Sequence, residues 1–401
     1  MAKRTIEQVD VSGKRVLMRV DFNVPLQDGV VQDDRRVRMA LPTITSVVER
    51  GGRVILMSHL GRPGGEGYEE MYSLRPVAET LAGLLGRPVG FPSTDCSDAA
   101  SEAAVNAMAD GDVLLLENLR FHKGEKTGDA ALAATLASYG EIYCNDAFGT
   151  CHRTDASMVA VPEAMPSRPR VCGLLLRDEL RFLSEALAAP ERPYAAVLGG
   201  AKVSDKLAAV EHLVPRTDHI LIGGAMAYTF LKALGKGVGS SRVEDDRLDD
   251  AKRMLELAAR EECELHLPTD HVCATEFSAT ASDVRVFDGR IDDGWMGLDI
   301  GPDTQNHYAG LLEGCKTIVW NGPMGVFEWG AYAVGTNTVG AAIAKATSAG
   351  ATSIVGGGDT ASAAAACGVA EKMTHVSTGG GASLEMISGA RLRSVELLDE
   401  N

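Results

Sequence analysis

Ala195-Ala-Val-Leu-Gly-Gly-Ala-Lys-Val-Ser-Asp-Lys206 decides the fold: a four-residue apolar run stops at two glycines, and the chain then turns into a segment carrying lysines at 202 and 206. Such a run, closed abruptly by glycine, is the signature of a parallel strand buried on both faces as it leaves its sheet. Lysines four residues apart share one face of the helix that follows. There they either meet phosphates or stay solvated.

Outward from this segment the pattern recurs. Apolar, β-branched runs stand at 220–222, 317–320, 353–355 and 374–377, and earlier at 16–20, 54–58, 113–116 and 142–145, separated by Ala/Leu/Glu-rich stretches of helical period. Strands alternating with helices read as parallel sheets covered by helices. Two such sets in 401 residues predict two doubly wound, Rossmann-like α/β domains. Between them, leucines at 176, 180, 183 and 187 give residues 173–187 an amphipathic helical face, and Pro190 stops it. We expect a hinge helix there. Ligands of open α/β sheets bind beyond the carboxyl ends of the strands, so the chemistry belongs in the segments that follow them.

Composition narrows the partners. A formal charge of −16 argues against nucleic acid or anionic lipid as a partner, since both require broad basic surfaces, and an anionic substrate must be held by a local basic cluster. There is no apolar stretch long enough to span a bilayer and no apolar signal segment after Met1, so a cytoplasmic protein is expected. Eight cysteines without a C-x-x-C pair read as buried free thiols.

Candidate site residues follow the strands. Asp21 and Asn23, alternate residues after the first strand, either recognise hydroxyls or make a turn. Arg35-Arg36-Val-Arg38, Ser58-His59-Leu60-Gly61-Arg62, Arg120 and Arg153 bring cations to the same ends, together an anion cradle. In the second half, glycine runs at 199–200, 223–224, 322, 356–358 and 379–381 expose backbone amides to anions. Asp359 reads equally as a Mg²⁺ ligand or as a helix cap. Glu328 reads as a ribose contact or as surface, and Phe327, Trp320 and Trp329 as core. A P-loop and a full dinucleotide fingerprint are both absent, which argues against P-loop hydrolases and nicotinamide dehydrogenases. His152-Arg-Thr-Asp155 lacks the glycine-rich loop and D-F-G partners of a protein kinase.

Six motifs, in order along the chain, resemble the phosphoglycerate kinase family: R-V-D-F-N-V-P at 19–25, S-H-L-G-R-P at 58–63, G-G-A-K-V-S-D-K at 199–206, W-N-G-P-M-G-V-F-E at 320–328, G-G-G-D-T at 356–360 and S-T-G-G-G-A-S at 377–383. The resemblance implies reversible phosphoryl transfer from 1,3-bisphosphoglycerate to ADP, giving 3-phosphoglycerate and ATP. It implies that Asp21, Phe22, Asn23, Arg36, His59, Leu60, Gly61, Arg62, Arg120 and Arg153 bind the phosphoglycerate. Lys202, Lys206, Gly224, Gly297, Asn321, Gly322, Glu328, Gly357, Gly358, Asp359 and Thr360 would then hold Mg-nucleotide, with Asp359 on Mg²⁺. The catalytic set it implies is Arg36, Lys206, Gly358 and Gly380. The family's returning tail gives the domains as 1–172 plus 384–401 for phosphoglycerate, 173–189 for the hinge and 190–383 for nucleotide. A monomer is expected, with transfer following closure of the hinge. Asp155 stands where many family members carry histidine, which puts one local contact in doubt.

Overall fold

A computed structural model describes residues 3–377 and 379–401, apart from the side chains of 184–186; Thr378, part of the last glycine-rich motif, lies outside the described residues. The chain divides into two compact units, residues 3–181 with 391–401, and residues 182–390. Each is built around one parallel sheet.

In the first unit, Arg15–Arg19 lies between Arg53–Met57 and Ile142–Asn145, with Val113–Leu115 and Arg170–Cys172 outside them. Numbered along the chain, the strand order is 3-2-1-4-5. In the second unit, Tyr194–Leu198 lies between His219–Ile222 and Thr317–Asn321, with Glu264–His266 at one edge and Thr352–Val355 then His375–Val376 at the other, an order of 3-2-1-4-5-6. Both sheets therefore reverse direction of winding beside their first strand. That reversal opens a crevice at the carboxyl ends of strands 1 and 4, where open α/β sheets receive ligands.

The apolar runs form these strands because helices cover both faces. Val54, Ile55, Leu56 and Met57 are fully buried, as are Ala195, Ala196, Val197 and Leu198. Helix Arg35–Glu49 packs Val37, Ile44 and Val47 into the first core. Helix Val334–Ser348 buries Val339 and Ile343 in the second.

Several elements differ from expectation. The stretch 173–187 is not one continuous α-helix: α-helical Leu174–Leu180 is followed by a π-helical turn, Arg181–Glu185, and a short α-helical segment, Ala186–Ala188. Residues 384–390, read as part of the returning tail, pack within the second unit, where helix Gly381–Ile387 lies against Leu207–Leu213 and a side chain at Gly389 would strike the His212 ring. The tail joins the first unit from residue 391. Asp399 accepts from Arg170 N at 3.0 Å and pairs with its guanidinium at 3.1 Å, and Ser394 Oγ donates to Cys151 O at 2.8 Å. A three-stranded antiparallel sheet, Val284–Asp288, Asp270–Ala274 and Met296–Ile300, was not anticipated at all. Its outer strand is mostly exposed and mixes charges with apolar residues, so its period is weak. All eight cysteines are free and seven are buried. Among the described residues no helix is long and apolar enough to cross a membrane.

Candidate functional site

At the switch point of the first sheet, the segment after Arg19 turns sharply. Phe22 is buried and its N–H donates to Ser58 Oγ at 2.9 Å, which leaves Asp21 and Asn23 facing out of the crevice. Arg36, in the first turn of its helix, donates from Nη1 to Asp21 Oδ2 at 2.9 Å and to Asn23 O at 3.2 Å. Asn23 Oδ1 accepts from Gly61 N at 2.9 Å. Gly61 has φ of +61°, and a Cβ there would sit 2.5 Å from the Tyr72 ring. Only glycine satisfies both constraints. Leu60 exchanges backbone hydrogen bonds with the Asn118 amide at 3.1 and 2.8 Å, fixing the loop.

Cations converge on His59, which is almost fully buried. Arg19 Nη2 lies 3.2 Å from its Nδ1, and Arg153 Nη1 lies 3.4 Å from its Nε2. Arg120 Nη1 donates to Gly61 O at 2.9 Å. Burial first, and then Arg19, Arg120, Arg153 and Arg36, hold the His59 pKa well below the usual imidazole value, so the ring is neutral. A neutral ring adds no repulsion among four guanidiniums and retains a hydrogen-bonding atom. Arg62 is exposed beside this cluster.

Arg19 was overlooked as a site residue. It is fully buried, donates from Nε to Ser157 Oγ at 2.8 Å, and Ser157 Oγ donates on to buried Glu125 at 2.6 Å. An arginine inside an apolar strand was the available signal, since a buried charge requires a partner. Asp155 lies 3.7 Å from Arg120, both side chains only 9% exposed. Arg120, rather than Arg153, is therefore its cation.

The second switch point is made of glycine backbones. A Cβ at Gly199 would overlap Pro323 O, one at Gly322 would overlap Gly199 O, and one at Gly224 would sit 2.5 Å from Gly200 N. Lys206 Nζ donates to Asn321 Oδ1, and Asn321 Nδ2 donates to Gly356 O at 2.7 Å. Gly322 N donates to Thr360 Oγ1 at 2.7 Å. Burial pushes the Lys206 pKa down to about 8, with Asp205 and Asp359 opposing.

An open cavity of about 510 Å³ lies over these loops. Gly224, Gly297, Glu328 and Asp359 line it beside Gly200, so four of the predicted nucleotide-binding positions share one surface. Its apolar wall is Phe277, Met296, Leu298, Val326 and Phe327, and Arg242 and Ser240 also border it. Phe327 was read as core and instead lines the cavity; Trp320 is core. Val326 belongs to the 320–328 motif, whereas Met296 and Leu298 come from the unanticipated antiparallel sheet and the exposed Phe277 from the loop joining two of its strands. Asp359 is exposed in the first turn of helix Gly358–Ala366, whose N-cap is Gly357 at φ +95°, so the capping role falls to glycine. Lys202 is exposed and borders none of this cavity; Gly380, at φ +47°, caps helix Gly381–Ile387.

Comparison with known proteins adds to this geometry. The family model described as phosphoglycerate kinase matches residues 6–390. The chain is 54% identical over 404 residues to a phosphoglycerate kinase of Rhodopirellula baltica, covering all of both chains. It is 52% identical to one of Thermosipho africanus, covering 98% of this chain and 97% of that one. The solved structure of phosphoglycerate kinase from Coxiella burnetii superposes with a TM-score of 0.89 at 38% identity, covering 98% of each chain.

Proposed function

The chain belongs to the phosphoglycerate kinase family, which transfers a phosphoryl group between 1,3-bisphosphoglycerate and ADP to give 3-phosphoglycerate and ATP, and we propose that its two units divide the substrates between them. The phosphoglycerate binds the first unit through Asp21, Asn23, Arg36, His59, Arg62, Arg120 and Arg153, with Phe22, Leu60 and Gly61 shaping the loop. The nucleotide binds the second through Lys202, Lys206, Gly224, Gly297, Asn321, Gly322, Glu328 and residues 357–360. The observation carrying this division is that each sheet presents its polar cluster at its own switch point: guanidiniums around His59 in one, a glycine-lined cavity in the other.

An acyl phosphate leaves as a carboxylate, so no proton donor and no covalent nucleophile is needed; positioning and charge suffice. Arg36 is held by Asp21 and Asn23 with its remaining N–H groups free for a phosphoryl oxygen. Lys206 approaches the transferring group from the nucleotide side, fixed by Asn321. The amides at Gly358 and Gly380 add donors for developing charge. The apolar wall of Phe277, Met296, Leu298 and Phe327 takes the base, and Glu328 accepts from ribose hydroxyls. Mg²⁺ fits this site: Asp359 offers one exposed carboxylate at the cavity, the donor set expected of an ion otherwise held by phosphate and water. When bound it supplies charge neutralisation between phosphates. We further propose that the units close for transfer, expelling water that would hydrolyse the acyl phosphate, and that the chain acts as a cytoplasmic monomer.

The test is 3-phosphoglycerate-dependent consumption of Mg-ATP, coupled through glyceraldehyde-3-phosphate dehydrogenase to NADH oxidation. Lys206→Ala is expected to lower kcat by on the order of 10²-fold or more. A variant with unchanged kcat would remove Lys206 from the transfer step.

A further inference from the structure

Away from the nucleotide cavity, the edge of the second sheet gathers three imidazoles and a carboxylate. Strands His219–Ile222 and Glu264–His266 pair in parallel with Glu264 opposite His219. Glu264 and His266, two residues apart on one strand, share a face. His219 Nδ1 lies 3.3 Å from His266 Nε2 and 3.3 Å from Glu264 Oε2, and His266 Nε2 lies 3.4 Å from the same oxygen. The three atoms form a near-equilateral triangle.

That triangle has the dimensions of a metal site. A tetrahedral ion with bonds of about 2.0–2.1 Å holds its ligand atoms roughly 3.3–3.4 Å apart. With His266 donating from Nδ1, hydrogen bonding alone satisfies the cluster poorly. His307, on helix Pro302–Gly314, places Nε2 3.3 Å from His266 Nδ1. If His266 donates there, its Nε2 presents a lone pair to the triangle, and Glu264 only accepts, so the single proton His219 Nδ1 can carry must serve two acceptors. A cation at the centre satisfies all three. His307 then does what partners of ligating imidazoles usually do, fixing tautomer and ring orientation through the other nitrogen.

We propose that His219, Glu264 and His266 bind one divalent d-block cation of the zinc class, with His307 as the positioning residue and a fourth position left to water. Two imidazoles and a carboxylate suit Zn²⁺, whereas Mg²⁺ prefers oxygen donors, so the nucleotide's own ion does not compete. None of the four residues lines the nucleotide cavity, and the site ties the edge strand to its neighbour. Its expected consequence is a metal-dependent gain in stability.

The experiment is titration of the full chain with Zn²⁺ against a chromophoric chelator, together with melting curves with and without Zn²⁺ and the visible spectrum of the Co²⁺-loaded protein. Expected are one ion per chain, a higher Tm with metal, and the intense visible bands of tetrahedral Co²⁺. The double variant His219→Gln/His266→Gln should lose this binding, Glu264→Gln should weaken it at least tenfold, and His307→Gln should weaken it by roughly ten- to a hundredfold. Glu264 is largely exposed, so its variant folds independently of any packing role. No saturable binding at 100 µM Zn²⁺, taken as roughly the upper limit for a specific site, would overturn the proposal. So would full-strength binding in the double variant, which would assign the ion to thiols elsewhere.

Discussion

Within the cation cluster of the first unit, Asp155 and Arg120 form an ion pair whose partners are both nearly buried, 3.7 Å apart. Asp155 Oδ2 has no hydrogen-bond donor and neither does Arg120 Nε as a donor have an acceptor, so the pair is held by charge rather than by good geometry. The carboxylate offsets repulsion among Arg19, Arg120 and Arg153 in the free protein, and opposes a substrate phosphate in the bound one. Asp155→Asn is therefore expected to lower the KM for 3-phosphoglycerate about two- to tenfold, an effect of roughly 1 kcal/mol, with kcat little changed. The same substitution should lower Tm, because three guanidiniums lose their counter-charge. Steady-state kinetics and a melting curve on one preparation check both signs. The sequence made Asp155 conspicuous but left its partner unknown, since which arginine meets it depends on how the loops after two different strands fold back.

Asp146 shows the same physics at the scale of an element. It stands at the exit of strand Ile142–Asn145, and its Oδ1 accepts from Leu176 N at 3.1 Å, tying the first turn of helix Leu174–Leu180 to the sheet. Gly173 is glycine because any Cβ would overlap this carboxyl group. Burial pushes the Asp146 pKa up to about 7. The folded state thus retains a proton that the unfolded chain releases near pH 4, so this contribution to stability is fully present below that value and is lost as pH rises through about 7. Asp146→Asn, which keeps the acceptor and cannot ionise, should raise Tm relative to wild type at pH 8 and leave the two alike at pH 4. Equal differences at both pH values would exclude ionisation as the cause. Strands buried on both faces were legible because their apolar runs are largely unbroken and are followed closely by glycine or a polar residue. Glu264–His266 and Val284–Asp288 were not, being an edge strand and an exposed strand with polar residues on the run. The amphipathic leucines predicted a helix over 173–187, but periodicity does not distinguish an α-turn from the wider π-turn at Arg181–Glu185.

At the scale of the molecule, two units repeat one sheet architecture, and the proposed substrate sites fall at the same topological position in each. Motif residues in both halves were legible because backbone approach demands glycine and anion binding demands arginine or lysine. The apolar wall of the cavity was not, because Phe277, Met296 and Phe327 come from separate segments with no shared spacing. Buried Arg19 was hidden because its partners are distant in sequence: His59 on one side, and on the other Ser157, itself bonded to Glu125, more than a hundred residues further along. We propose that the two crevices are separate half-sites. Calorimetric titration of ADP and of 3-phosphoglycerate into wild type, Arg36→Ala and Lys206→Ala tests it most directly. Arg36→Ala is expected to lose affinity for 3-phosphoglycerate while binding ADP normally, and Lys206→Ala to do the reverse. Loss of both ligands in either folded variant, or of neither in both, would contradict it.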